Sequence, residues 1–108
     1  MLKIILISAC SSNVSNKTIE QAHNAVKSGA KIIDVRTHQE YTSGHIQGAL
    51  NIPISMLQRE LPRLEKSQTY VLYCRSGNRS GQAERLMRQY GYNAINVETQ
   101  ADWNRELK

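Results

Sequence analysis

From Ser15 onward the chain alternates short apolar runs with stretches of helical period. Behind Ser15, a residue suited to capping, Ile19, Ala22 and Val26 recur at helical spacing, and Gly29 closes the segment. Lys31 to Val35, centred on Ile32-Ile33, predicts a buried strand. Thr37-His38-Gln39-Glu40 has the T-x-x-E form of a capping box, so a short helix should follow, stopped by Gly44. Leu50 to Ile52 predicts a second strand, closed by Pro53. Ser55-Met56-Leu57-Gln58 has the form of another capping box and predicts a helix to about Leu61, broken by Pro62. Thr69 to Cys74 is the most strand-like run. A helix from about Arg79 to Tyr90 places Ala83, Leu86, Met87 and Tyr90 on one face, and Gly91 caps it. Asn93 to Val97 predicts a further strand, and Thr99 can cap a last helix holding Trp103.

Strands alternating with helices imply an α/β fold: a central, mostly parallel sheet of about five strands with helices on both faces. Ligands of such sheets bind beyond the carboxyl ends of the strands. Two unusual segments fall there, Asp34-Val35-Arg36 and Cys74 to Ser80.

The 108 residues make one domain, long enough to bury a core without disulfides or metals. Two cysteines cannot form a disulfide framework, and the lack of a CxxC pair or a Cys/His cluster argues against zinc. The net charge is +5; Arg36, Arg75, Arg79, Arg85 and Arg88 fall at or after predicted strand ends, while the lysines are scattered. No basic–aromatic platform accompanies it, which argues against nucleic acid as partner. No apolar run approaches the roughly 20 residues of a membrane-spanning helix. No long apolar stripe is left over for an obligate interface, which implies a monomer.

Residues 1–13 differ from the domain at 14–108. Ile4-Ile5-Leu6-Ile7, then Ser8-Ala9 and Cys10, resembles the end of a bacterial lipoprotein signal, although its apolar run is shorter than the usual 7–15 residues or so. That reading puts the protein on the periplasmic side of the cell envelope, with Cys10 as a lipid anchor. The alternative is an edge strand with a buried, inert Cys10.

The segment Cys74-Arg75-Ser76-Gly77-Asn78-Arg79-Ser80 carries the candidate chemistry. A strand delivers the cysteine to the sheet's end, a loop containing Gly77 follows, and a helix begins at about Arg79. Backbone N–H groups in such a loop can curl into an anion site, and the helix N-terminus adds unpaired donors. Arg75 and Arg79 add full charges. Together they should favour the thiolate at an open strand end, ready to attack a sulfur- or phosphorus-containing anion. A lone cysteine ending an apolar strand is more often packing, but packing needs neither a glycine hinge nor two arginines.

Five elements then appear in order: Ile32-Ile33-Asp34-Val35-Arg36, Glu40-Tyr41, Gly44-His45-Ile46, Gly48-Ala49-Leu50-Asn51-Ile52-Pro53, and Cys74 to Ser80. On these the chain, over about residues 14–103, resembles the rhodanese-type sulfurtransferases. Arg79-Ser80-Gly81-Gln82-Ala83 and Gly91-Tyr92 are similar to the small phage-shock-type periplasmic members. The resemblance implies that Cys74 takes the outer sulfur of thiosulfate or a similar anionic donor as a persulfide. The N–H groups of residues 75–80 (Arg75, Ser76, Gly77, Asn78, Arg79, Ser80) would hold it, and a thiol or cyanide would accept it. Arg75 would attract the donor and Arg79 would steady the loop. Asp34 and Arg36 would brace the surrounding loops, and His45 would be structural. The resemblance implies no metal and no organic cofactor. One departure is the region before Trp103, where the family often carries Gly-Gly and this chain has Glu98-Thr99-Gln100-Ala101-Asp102.

Two rivals are set beside this reading. Phosphatases and arsenate reductases of the related fold use a wider cradle, with five residues between cysteine and arginine; here four separate Cys74 from Arg79. A persulfide carrier fed by a protein partner would keep the same cysteine.

Overall fold

A computed structural model describes residues 14–107. The leader-like stretch and Cys10 lie outside the described residues. The first helix, α1 (Asn16–Lys27), is capped by Ser15, whose side chain accepts the Thr18 N–H. Strand β1 (Lys31–Asp34) leads into α2 (His38–Thr42), where Thr37 and Glu40 complete the expected capping box. Then come β2 (Leu50–Asn51), α3 (Ile54–Glu60) and a 3-10 turn at Leu61–Arg63. Strand β3 (Thr69–Cys74), α4 (Asn78–Gln89), β4 (Asn93–Thr99) and α5 (Gln100–Trp103) complete the order.

The described residues form one four-stranded sheet, β2-β1-β3-β4, with every pair parallel. Four strands therefore replace the expected five; the edge-strand alternative falls on residues 1–13. Among the described residues no helix is long and apolar enough to cross a membrane.

The strand period of two sorts the core. Tyr70, Leu72 and Cys74 of β3 join Ile33, Leu57, Ala83 and Met87 on the face covered by α3 and α4. Val71 and Tyr73 join Ile19, Ala22, Ile32 and Val97 on the opposite face, under α1. Cys74 and Tyr73 are adjacent in sequence and so serve different layers. The register sets Asp34 opposite both Asn51 and Tyr73, and Cys74 opposite Thr99. All four strands thus end along one edge.

Three expectations need correction. The Ser55–Gln58 capping box does not form: α3 starts at Ile54 with Pro53 at the N-cap and no side-chain cap. Proline's fixed φ (−54° here) presets the helix entry two residues early, and Gln58 instead donates to the Tyr90 hydroxyl. Helix α4 begins at Asn78, and Tyr90 is its exposed C-cap rather than a member of the core face. Strand β4 continues past Val97 to Thr99, through a bulge.

Candidate active site

Cys74 is the last residue of β3, and its sulfur lies where the first turn of α4 begins. Gly77, the N-cap of α4, has φ 97°, a left-handed backbone that suits glycine, and offers no capping side chain. The sulfur takes that role. The Gly77 N–H donates to Cys74 Sγ at 2.9 Å and the Ser80 N–H at 3.3 Å. A helix's first turn leaves such donors unpaired, and an N-cap side chain usually accepts from its third residue. Ser80 is that residue here. Its hydroxyl accepts from the Cys74 thiol at 3.3 Å and donates to the Gly77 carbonyl at 3.3 Å. Both Cys74 and Ser80 are buried.

Two expectations change. The thiol is not open at the strand end: Cys74 is 2% exposed, beneath a loop whose Arg75, Ser76 and Asn78 are exposed. Of the six residues expected to ring the sulfur, Gly77 and Ser80 direct N–H bonds at it.

The arginines divide the work. Arg79 forms a two-armed pair with Glu40, at 2.8 and 3.1 Å, tying the first turn of α4 to α2. Its charge is therefore largely committed. Arg75 is exposed, with no ion-pair partner among the described residues, and is the cation left to meet an incoming anion. Asp34 and Arg36 sit with Tyr73 on the sheet face opposite Cys74. Asp34 is fully buried and accepts from the Arg36 backbone N–H, its Nε and NH2, and the Tyr73 hydroxyl at 2.7 Å. Arg36 NH2 also donates to the Gly44 carbonyl at 2.7 Å, and the Tyr73 oxygen accepts the Ile46 N–H. The cluster fastens the 44–46 loop to the end of β1. Burial, opposed by the Ile46 amide and reinforced by Asp34, pushes the Tyr73 hydroxyl up to about 12, so it remains a donor. His45 stacks on Tyr41 at 3.7 Å and bonds the Tyr41 carbonyl through Nδ1, a structural placement.

Three residues escaped the sequence reading as site residues. Glu40 announced its capping box but not its bond to Arg79. Tyr73 looked like one more strand residue. Glu98 lies in the stretch that lacks Gly-Gly, and its side chain packs against Gly77.

The Glu40–Arg79 clamp gives a pH prediction. Arg79, and then the Thr37 N–H, hold the Glu40 carboxyl down at about 2, against an ordinary 4.5. A carboxyl whose value is lowered by folding stabilises the fold above its unfolded value and loses that contribution as pH falls toward the folded one. Wild type should therefore exceed Glu40→Gln in stability by a constant margin above about pH 4.5, shrinking to nothing near pH 2. Denaturant melts of both proteins across that window test it, and a margin that persists at pH 2 contradicts it.

A parallel sheet whose strand-end cysteine caps the next helix defines a class of α/β proteins built around one thiol. Within that class the chain belongs to the rhodanese-like domain family, whose sequence profile matches residues 18–100. Thiosulfate sulfurtransferase PspE of Escherichia coli (strain K12) is 35% identical over 65 residues, 58% of this chain and 62% of that protein. Protein YqhL of Bacillus subtilis (strain 168) is 39% identical over 66 residues, 61% and 52% of the two lengths. The chain thus spans less than two thirds of either relative. The human single-domain sulfurtransferase TSTD1 superposes with a TM-score of 0.67 at 30% identity, covering 82% of this chain and 94% of that one.

Proposed function

We propose that the protein moves a sulfane sulfur from thiosulfate or a similar small anionic donor to a thiol or cyanide, with Cys74 as carrier. The Cys74 thiolate attacks the outer sulfur of the donor. A Cys74–sulfur bond forms, the donor's S–S bond breaks, and sulfite leaves with the bonding pair. The acceptor, as thiolate or cyanide, then attacks the outer sulfur of the persulfide and returns the pair to Cys74. The observation that carries this reading is the pair of α4 amides, Gly77 and Ser80, aimed at Sγ.

When the thiol loses its proton, Ser80 no longer has an S–H to accept from. Its hydroxyl can then turn from the Gly77 carbonyl to the sulfur and add a third donor. The amides of Gly77 and Ser80 then stay with the Cys74 sulfur of the persulfide. Arg75 draws in the donor, Arg79 holds α4 through Glu40, and Asp34 with Arg36 fixes the loops on the far face. Because Cys74 is 2% exposed, the exposed Arg75 and Ser76 over it must move aside for the donor. The same burial favours one second reading, a relay module in which a docked protein persulfide levers them aside and feeds Cys74.

Reduced wild-type protein treated with thiosulfate should gain the mass of one sulfur atom, and peptide mapping should place it on Cys74 rather than Cys10. A gain only with a cysteine desulfurase and cysteine selects the relay. A gain from neither source, or faster turnover of a phosphate ester than of thiosulfate, sinks sulfur transfer.

A further inference from the structure

A second concavity lies at the carboxyl end of α4, away from the sulfur. It holds about 500 Å³, between Gln58 of α3, the chain from Leu61 to Lys66, and Tyr90 and Tyr92 at the turn into β4. That volume falls within the roughly 300–1,000 Å³ of small-molecule pockets. The twelve residues of α4 put about 18 Å between this cleft and Cys74. Its walls are fixed by bonds of their own. Tyr92 is buried, and its hydroxyl donates to the Leu61 carbonyl, tying the entry of β4 to the 3-10 turn. Gln58 Nε2 donates to the Tyr90 hydroxyl at 3.1 Å and so joins α3 to the C-cap of α4. Tyr90 is still 42% exposed, an aromatic ring standing at the rim.

The polar groups of the cleft share one sign. Lys66 Nζ lies 5.4 Å from the centre of the Tyr92 ring, a cation–π contact that keeps the ammonium at the cleft. Lys66 is the sole charged residue of the lining and has no ion-pair partner among the described residues. Its neighbour Glu65 lines a different cleft, together with Lys31 and Arg63. The Tyr90 oxygen accepts from Gln58, which leaves its O–H free to donate beside the ammonium. Pro62 and Leu64 supply an apolar wall.

We propose that this cleft is a binding site for a small aryl carboxylate, with the carboxylate on Lys66 and the Tyr90 hydroxyl and the ring against Pro62 and Leu64. A cation and a donor beside apolar walls complement an anion that carries a flat apolar body. The site is separate from the sulfur loop, and its occupancy does not depend on sulfur transfer.

Phenylacetate and its neutral counterpart phenylacetamide separate the charge from the ring. Titrated into the full-length, isotope-labelled protein, phenylacetate should shift the backbone amide resonances of Leu64, Lys66, Gly91 and Tyr92 with one Kd of about 1 mM, the scale expected for a ligand of this size. Phenylacetamide should bind about tenfold more weakly, the worth of one charge near the surface. Lys66→Gln should weaken phenylacetate about tenfold and leave phenylacetamide unchanged, so that the two probes bind alike. Tyr90→Ala should weaken both, because both use the ring. Lys66 and Tyr90 are exposed, so each variant should melt like wild type; if Tyr90→Ala does not, the two probes on Lys66→Gln still decide. Added salt should weaken phenylacetate alone. No shift at about ten times the expected Kd overturns the inference, as does an unchanged phenylacetate affinity in Lys66→Gln. Shifts confined to Gly77, Ser80 and their neighbours would put the anion at the sulfur loop, overturning this inference and leaving sulfur transfer untouched.

Discussion

Replacing Cys74 by serine should abolish sulfur uptake, cutting transfer by at least about 10³-fold, while the domain stays folded. Serine is the informative substitute because of what the sulfur does for α4. Sγ receives the N–H of Gly77 and of Ser80, as an N-cap side chain would. Alanine would leave two donors facing nothing in a buried site, at about 1–3 kcal/mol each. Its loss of activity would then be confounded with a loosened helix start. A serine oxygen keeps an acceptor at the same place, so the fold should stay within about 1 kcal/mol of wild type. What disappears is the chemistry: a hydroxyl at neutral pH supplies no comparable anion and forms no persulfide. The measurements are intact mass after thiosulfate and a thermal melt of the same sample. A sulfur gain that survives in Cys74→Ser would move the carrier to Cys10 and end the case for the loop.

The sequence disclosed most where structure depends on neighbours along the chain. Ser15 and Thr37 cap their helices as read, because a cap is decided within four residues. The run Tyr70-Val71-Leu72-Tyr73-Cys74 makes a strand buried on both faces, as apolar parallel strands do. Cys74 could be placed at a strand end facing a helix start for the same reason. The reading failed where a distant residue competes for the same group. Gln58 is in position to close a box with Ser55, yet Pro53 sets the helix start and Tyr90, 32 residues on, takes the Gln58 amide. Arg79 looked like a second cation for the sulfur site until Glu40, 39 residues away, accounted for it. The burial of Cys74 was hidden as well, since no local pattern states how tightly a loop closes over a strand end. The missing Gly-Gly before Trp103 did mark the right place. Its consequence, a bulge with Glu98 in the left-handed region beside Gly77, depends on β3–β4 register and is visible only in three dimensions.

Asp34→Ala should cost about 3–5 kcal/mol of stability and lower Tm by about 15–25 °C, the largest stability effect expected from a polar residue here. Asp34 is fully buried and is the acceptor on which two other groups rely. The Arg36 guanidinium donates to it from Nε and NH2, the latter at 2.6 Å, with the Arg36 side chain 14% exposed. The Tyr73 hydroxyl, held protonated with a value near 12, donates from within the core. Truncation strands a positive charge and a hydroxyl together, and the stranded charge dominates the cost. Removing Arg36 as well should recover part of the loss, so Asp34→Ala/Arg36→Ala should be less destabilised than the sum of the single variants. The network also separates bracing from catalysis. Asp34 and Tyr73 share the sheet face opposite Cys74, whose sulfur bonds Gly77 and Ser80 instead. Assayed well below its lowered Tm, Asp34→Ala should therefore still load sulfur on Cys74, with KM and kcat disturbed only as far as the 44–46 loop has loosened. A variant that melts like wild type yet fails to load would place Asp34 in the reaction itself, and the bracing role would have to be abandoned.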